Sequence, residues 1–186
     1  MNGLVVYESM FGNTQKVAQA IAEGLSSGMH VDVREVGMAP DKIGDQVTLL
    51  VVGAPTHALS LSRENTRRQA AEQATGSLVS KGRGVREWIG GLKKPNKKLA
   101  VASFDTRMAM PSWLKIAPTA GPSIEKRLRK LGLRVVIPSE SFVVADTTGP
   151  LESGELERAR EWGRSLASQF SSAGTKTAFS GQRPSR

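Results

Sequence analysis

The sequence predicts an α/β fold: a three-layer α/β/α sandwich around a five-stranded parallel sheet. Three observations predict it. Apolar runs of strand length alternate with segments of helical period along the 186 residues. The run Val47–Gly53 is almost continuously apolar (Val47, Leu49, Leu50, Val51, Val52), as a strand covered on both faces must be. The first apolar run passes through one short loop directly into an amphipathic helix, the start of a βαβ unit. Right-handed crossovers then place helices on both faces of the sheet.

In order, Leu4–Glu8 reads as the first strand. Thr14–Ser26 reads as a helix with Val17, Ile21 and Leu25 in one row, closed by Gly28. Val31–Val36 alternates apolar Val31 and Val33 with outward Asp32 and Arg34, as an edge strand does. Val47–Gly53 and Leu99–Phe104 are the central strands. Between them lies a long connection from Ala58 to about Lys98. Its residues 62–75 are polar and helical in composition, with Glu64/Arg68 and Arg68/Glu72 at i, i+4. The small, basic run 76–84 is expected to be mobile. Val85–Leu92, carrying Trp88 and Ile89, is the expected covering helix. A helix follows over Ser123–Leu131, ended by Gly132. Arg134–Ile137 and Ser141–Val144 form a last strand interrupted by Pro138. Glu152–Phe170 is the final helix, with Leu156, Ala159, Gly163, Leu166 and Phe170 at helical spacing. Residues 1–170 are thus one domain. The Ser/Gly/Thr/Pro-rich residues 171–186 are expected to be a disordered tail.

Composition narrows the chemistry. The chain contains no cysteine, which removes disulfides, thiolate metal sites and thiol nucleophiles. With two histidines, His30 and His57, a histidine metal centre is not expected. The N-terminus enters a strand at once, without a basic and then apolar leader, so a cytoplasmic location is the expectation. No apolar run reaches the ~18 residues of a transmembrane helix. The formal net charge is +9. That balance favours acidic or anionic partners, an acidic redox protein or an anionic membrane surface among them. The basic residues are spread along the chain without interleaved aromatics, which argues against a nucleic-acid module.

The loop Ser9-Met10-Phe11-Gly12-Asn13-Thr14 carries the strongest functional signal. It lies between the first strand and the first helix, where unpaired main-chain N–H groups and the helix dipole favour an anion. Ser9 and Thr14 add hydroxyl donors, and Gly12 lets the backbone approach closely. The loop matches neither G-x-x-x-x-G-K-[ST] nor G-x-G-x-x-G, so the Mg-nucleotide P-loop and the dinucleotide fingerprint are excluded. Two further loops leave the carboxyl ends of strands, where open α/β sheets bind ligands. They are Gly53-Ala54-Pro55-Thr56-His57-Ala58 and Ser103-Phe104-Asp105-Thr106-Arg107.

These three loops, in this order, resemble those of the flavodoxin family, and the resemblance covers about residues 3–170. Within it the chain is most similar to basic flavodoxin-domain proteins of actinobacteria, where a Phe-Asp-Thr-Arg loop recurs. The resemblance implies the strand order 2-1-3-4-5 and FMN as cofactor. It implies that Ser9, Met10, Phe11, Gly12, Asn13 and Thr14 hold the FMN phosphate. Pro55, Thr56, His57 and Ala58 would line one side of the ring, and Phe104, Asp105, Thr106 and Arg107 the other. The usual aromatic sandwich differs here: the second loop offers His57, and Trp113 lies past the third. Asp105 alternatively caps the following turn, and Trp88 and Trp162 read as packing residues. Three functions remain open. One is an electron-transfer protein served by a redox partner such as a reductase or an acidic acceptor. Another is an FMN-dependent oxidoreductase of quinone-reductase or protoporphyrinogen-oxidase type, acting on a quinone or another small substrate. The third is a flavin-free binding or regulatory module.

Overall fold

The computed structural model describes residues 1–57, 59–74, 77–93, 95, 99–109 and 118–178. Ala58 and Trp113 therefore lie outside the described residues.

The elements are β1 (Asn2–Tyr7), α1 (Asn13–Leu25), β2 (His30–Glu35), β3 (Val47–Pro55), α2 (Glu64–Gln73), α3 (Val85–Gly91), β4 (Ala100–Met108), α4 (Ala120–Lys130), β5 (Arg134–Val135), β6 (Glu140–Val144) and α5 (Glu155–Ala178). The sheet runs β2-β1-β3-β4-β5, and β6 also pairs with β4. All of these pairings are parallel. β5 and β6 fill one position on the same edge. β5 sits beside Ala100 and Val101, and β6 beside Phe104–Met108. Pro138 lies between them and has no N–H to give a ladder, which explains the break. The order 2-1-3-4-5 expected from the sequence is the order observed.

Strand alternation divides the core in two. Val5, Tyr7, Leu49, Val51, Ala102 and Phe104 pack against α1 and α5. Leu4, Val6, Leu50, Val52, Ala54 and Val101 pack against α3 and α4. Trp88 is wholly buried in the second cluster, its indole N–H donating to the Pro40 carbonyl at 3.1 Å. Trp162 belongs to the first.

Three segments differ from the sequence expectation. Helix α4 starts at Ala120 rather than Ser123, because Pro122 sits in the first turn, where a missing N–H costs nothing. Helix α5 runs on through Ala178, so residues 171–178 of the expected disordered tail are helical; residues 179–186 lie outside the described residues. Extending an existing helix requires only one more residue to be fixed per hydrogen bond gained, which the Ser/Ala/Lys/Thr stretch tolerates. Residues 77–84, expected to be mobile, are pinned. Val79 and Ser80 donate to the carbonyls of Met10 and Ser9, and Arg83 reaches the Ala39 carbonyl and Asp41. No helix among the described residues is long and apolar enough to cross a membrane.

Candidate functional site

β1 ends at Tyr7, and the chain turns through residues 8–12 into α1. Gly12, the residue before the helix, has φ +88°, a left-handed conformation that a side chain resists. Ser9 Oγ accepts the Gly12 N–H at 3.1 Å and the Gln15 N–H at 3.3 Å, so its own proton remains available to donate. The N–H groups of Met10, Phe11, Asn13 and Thr14 have no acceptor among the described residues. The first turn of α1 carries no acid, and its N-cap residue, Gly12, has no side chain to offer. The result is an open bowl of main-chain donors at the positive end of a helix dipole, which is chemistry suited to an anion such as a phosphate monoester.

Two side-chain contacts fix the bowl against neighbouring loops. Thr14 Oγ1 lies 2.8 Å from Thr106 Oγ1, tying α1 to the end of β4. Asn13 Nδ2 donates to the Thr148 carbonyl at 3.0 Å, tying it to the loop after β6. Beside the bowl opens a cleft of about 290 Å³. One wall is Pro55, Thr56 and His57; the other is Thr106, Arg107 and Met108. Thr56 is held at both ends. Its N–H donates to the Thr106 carbonyl at 2.8 Å, and its Oγ1 accepts the Ala120 N–H at 3.0 Å. His57 heads a tight turn closed by its reciprocal main-chain bonds with Ser60. Burial, reinforced by the positive charge of Arg67, lowers the His57 pKa from its ordinary 6.5, so the imidazole is neutral at pH 7.

The predicted residues therefore divide. Ser9, Met10, Phe11, Asn13, Thr14, Pro55, Thr56, His57, Thr106 and Arg107 all line the bowl or the cleft, and Gly12 shapes the turn between them. Ala58 lies outside the described residues. Phe104 and Asp105 do not line the cleft. Phe104 is wholly buried, its ring lying over Gly53, where a Cβ would come within 2.0 Å of it, and edge-on to Phe142 at 6.1 Å between centroids. Asp105 points to the opposite face of the sheet and accepts the Gly121 N–H at 2.8 Å, capping α4. Burial raises its pKa, with the hydroxyls of Thr119 and Ser141 and the charge of Arg107 opposing.

The sequence reading missed Met108, Val144 and Thr147, which complete the far wall. β4 runs four residues past its expected end at Phe104, because β6 pairs with it as far as Met108. Alternation from Thr106 would have placed Met108 on the same face. The rule that ligands sit beyond strand ends also points to the end of the last strand, at Val144. Glu8 was missed as well. It is fully buried, accepts from the Ser62 hydroxyl, and accepts the Val85 N–H at 2.8 Å. Burial raises its pKa against the lowering effect of those bonds and of Arg67.

Known proteins bear out the family. A flavodoxin family model matches residues 5–182. An uncharacterised protein of Methanocaldococcus jannaschii is 25% identical over 169 residues, 88% of this chain. The chain spans only 36% of that relative's length. Oxidised flavodoxin 2 of Bacillus cereus superposes with a TM-score of 0.61 at 18% identity, covering 91% of this chain and 99% of that one. The flavodoxin of Streptococcus pneumoniae superposes equally well, 0.61 at 16% identity, covering 91% and 99%. At such identities the superpositions speak for the fold, while the family match spans nearly the whole sequence. With the strand order and the three loops in place, the chain belongs to the flavodoxin family.

Proposed function

We propose that this chain binds FMN and transfers electrons between a redox partner and an acceptor. The observation that carries the reading is the bowl at α1, where the N–H groups of Met10, Phe11, Asn13 and Thr14 are unspent and no acid intrudes. FMN fits these donors. Its phosphate would take the main-chain N–H groups and the Ser9 and Thr14 hydroxyls, and its ring would enter the cleft between Pro55-Thr56-His57 and Thr106-Arg107-Met108. FMN supplies the redox chemistry when bound. The protein's task is to hold it, exclude water from one side, and set the local field.

No carboxylate lines the cleft among the described residues; His57 and Arg107 are its titratable lining. That suits a carrier, which needs no acid–base pair of its own. The +9 balance favours an acidic redox protein as partner and, together with the Phe-Asp-Thr-Arg loop, a place among the basic flavodoxin-domain proteins of actinobacteria. A positive cleft also favours the negative charge that reduction adds, so the midpoint potential should be less negative than in acidic flavodoxins; potentiometric titration reads this directly.

An absorbance titration tests the reading. Purified protein mixed with FMN should show shifted near-ultraviolet and blue bands that dithionite bleaches. A spectrum of free FMN that the protein leaves unshifted would overturn it.

A further inference from the structure

The segment 77–84 belongs to the β3–β4 connection, far in sequence from the bowl, and yet it is bonded to it on both sides. Ser80 N–H donates to the Ser9 carbonyl at 2.8 Å, and Ser9 N–H donates back to Ser80 Oγ at 3.0 Å. One residue earlier, Val79 N–H donates to the Met10 carbonyl at 3.1 Å. The Ser80 side chain is almost wholly buried, and its hydroxyl proton goes to Glu35 Oε1 at 2.6 Å. Glu35 closes β2 and is itself oriented by the Gly37 N–H, which donates to its other oxygen at 2.7 Å.

The carboxylate dictates the polarity of this chain of bonds. Because Glu35 accepts only, the Ser80 hydroxyl must give it the proton and turn a lone pair toward Ser9. The carbonyl and N–H of Ser9 are then both committed to Ser80. The Ser9 hydroxyl is left to receive Gly12 and Gln15, and this holds the turn open in front of α1. Ser80 and Glu35 do not line the cleft, and Ser9 meets it at the bowl, not at the second or third loop. Their influence should reach the phosphate end of a ligand and not its ring.

We infer that Ser80, oriented by Glu35, is a positioning residue for the phosphate of bound FMN. The inference rests on the function proposed above and adds to it a residue that touches no ligand. Buried Ser80 acts through Ser9, and Glu35 acts through Ser80.

The test compares FMN with riboflavin, which has the same ring but no phosphate, by quenching of flavin fluorescence. Wild-type protein is the reference. Ser80→Ala should raise the FMN dissociation constant about fivefold to tenfold, the worth of one lost hydrogen bond with a buried N–H left unsatisfied. Its riboflavin constant should stay within about twofold of wild type. Glu35→Ala, which leaves Ser80 in place, should also weaken FMN, by a smaller factor. Removing a negative charge near a phosphate would on its own strengthen binding, so the sign separates positioning from bulk electrostatics. Equal weakening of both flavins by Ser80→Ala, an unchanged FMN constant, or tighter FMN binding by Glu35→Ala overturns the inference while leaving the proposed function standing. A wild-type protein that takes up no FMN overturns both.

Discussion

Helices α1 and α4 begin at the same carboxyl edge of one sheet, but the chain treats their first turns in opposite ways. At α4 the donors are consumed: Ala120 N–H by Thr56 Oγ1 and Gly121 N–H by the buried carboxylate of Asp105. Helix α3 is treated likewise, with Val85 N–H given to buried Glu8 and Gly84 N–H to Glu87. At α1 the N-cap Gly12 has no side chain and the first turn has no acid; Ser9 Oγ takes the Gln15 N–H, but those of Asn13 and Thr14 stay open. A cap and an anionic ligand compete for the same N–H groups, so a helix start can serve stability or binding but not both. Sheet alternation sorts the two. Glu8 and Asp105 project to the α3/α4 face, whereas Thr106, one position on from Asp105, turns to α1 and meets Thr14.

The largest effect should come from giving α1 the acid it lacks. Asn13→Asp places a carboxylate beside the bowl and should weaken FMN binding about thirtyfold, or about 2 kcal/mol at an effective dielectric between protein interior and water. Asn13→Ala, which loses the Thr148 contact without adding charge, should cost only a few-fold. Fluorescence titration of both variants checks this, and equal losses would dissolve the contrast between the helix starts.

Next in size is the reverse operation at α4. Asp105→Ala should lower the unfolding free energy by about 1–2 kcal/mol in urea denaturation, as expected for a lost cap and an orphaned Gly121 N–H. The FMN constant should barely move. A large loss of FMN affinity with intact stability would return Asp105 to the cleft.

The smallest effect is a pH slope. Burial raises Glu8 above its ordinary 4.5 and Asp105 above its ordinary 3.8. The folded chain therefore holds these protons at pH values where the unfolded chain has released them. Their contribution to stability falls as pH rises between the ordinary and the raised values, and recovers on acidification through that window. The double variant Glu8→Gln, Asp105→Asn should flatten this part of the slope. Urea midpoints at pH 7 and pH 5 for both proteins measure it; identical slopes would mean that neither acid titrates there.

Much of this could be read from the sequence, because much of it is local. The central strands are legible in Val47–Gly53 and Leu99–Phe104, and the α1 bowl in Ser9–Thr14, since strand period, glycine and hydroxyl spacing lie within a few consecutive residues. What was misread depends on partners distant in the chain. Phe104 looked like a cleft residue until Gly53 and Phe142 supplied a slot for its ring. Asp105 could equally line the ring or cap a turn, and only the position of α4 decides it. Residues 77–84 are small and polar enough to suggest slack, and nothing local announces that Ser80 will bond Ser9 across 71 positions. Met108, Val144 and Thr147 reach the cleft because β6 lengthens β4, a pairing that composition does not encode.

The loop in front of α1 is moulded by the β3–β4 connection at two points, by Ser80 bonding Ser9 and by Ser62 and Val85 bonding Glu8. Transplanting residues 8–14 alone into another parallel sheet would carry the motif without its mould. The smallest portable unit is the loop together with the long crossover that braces it.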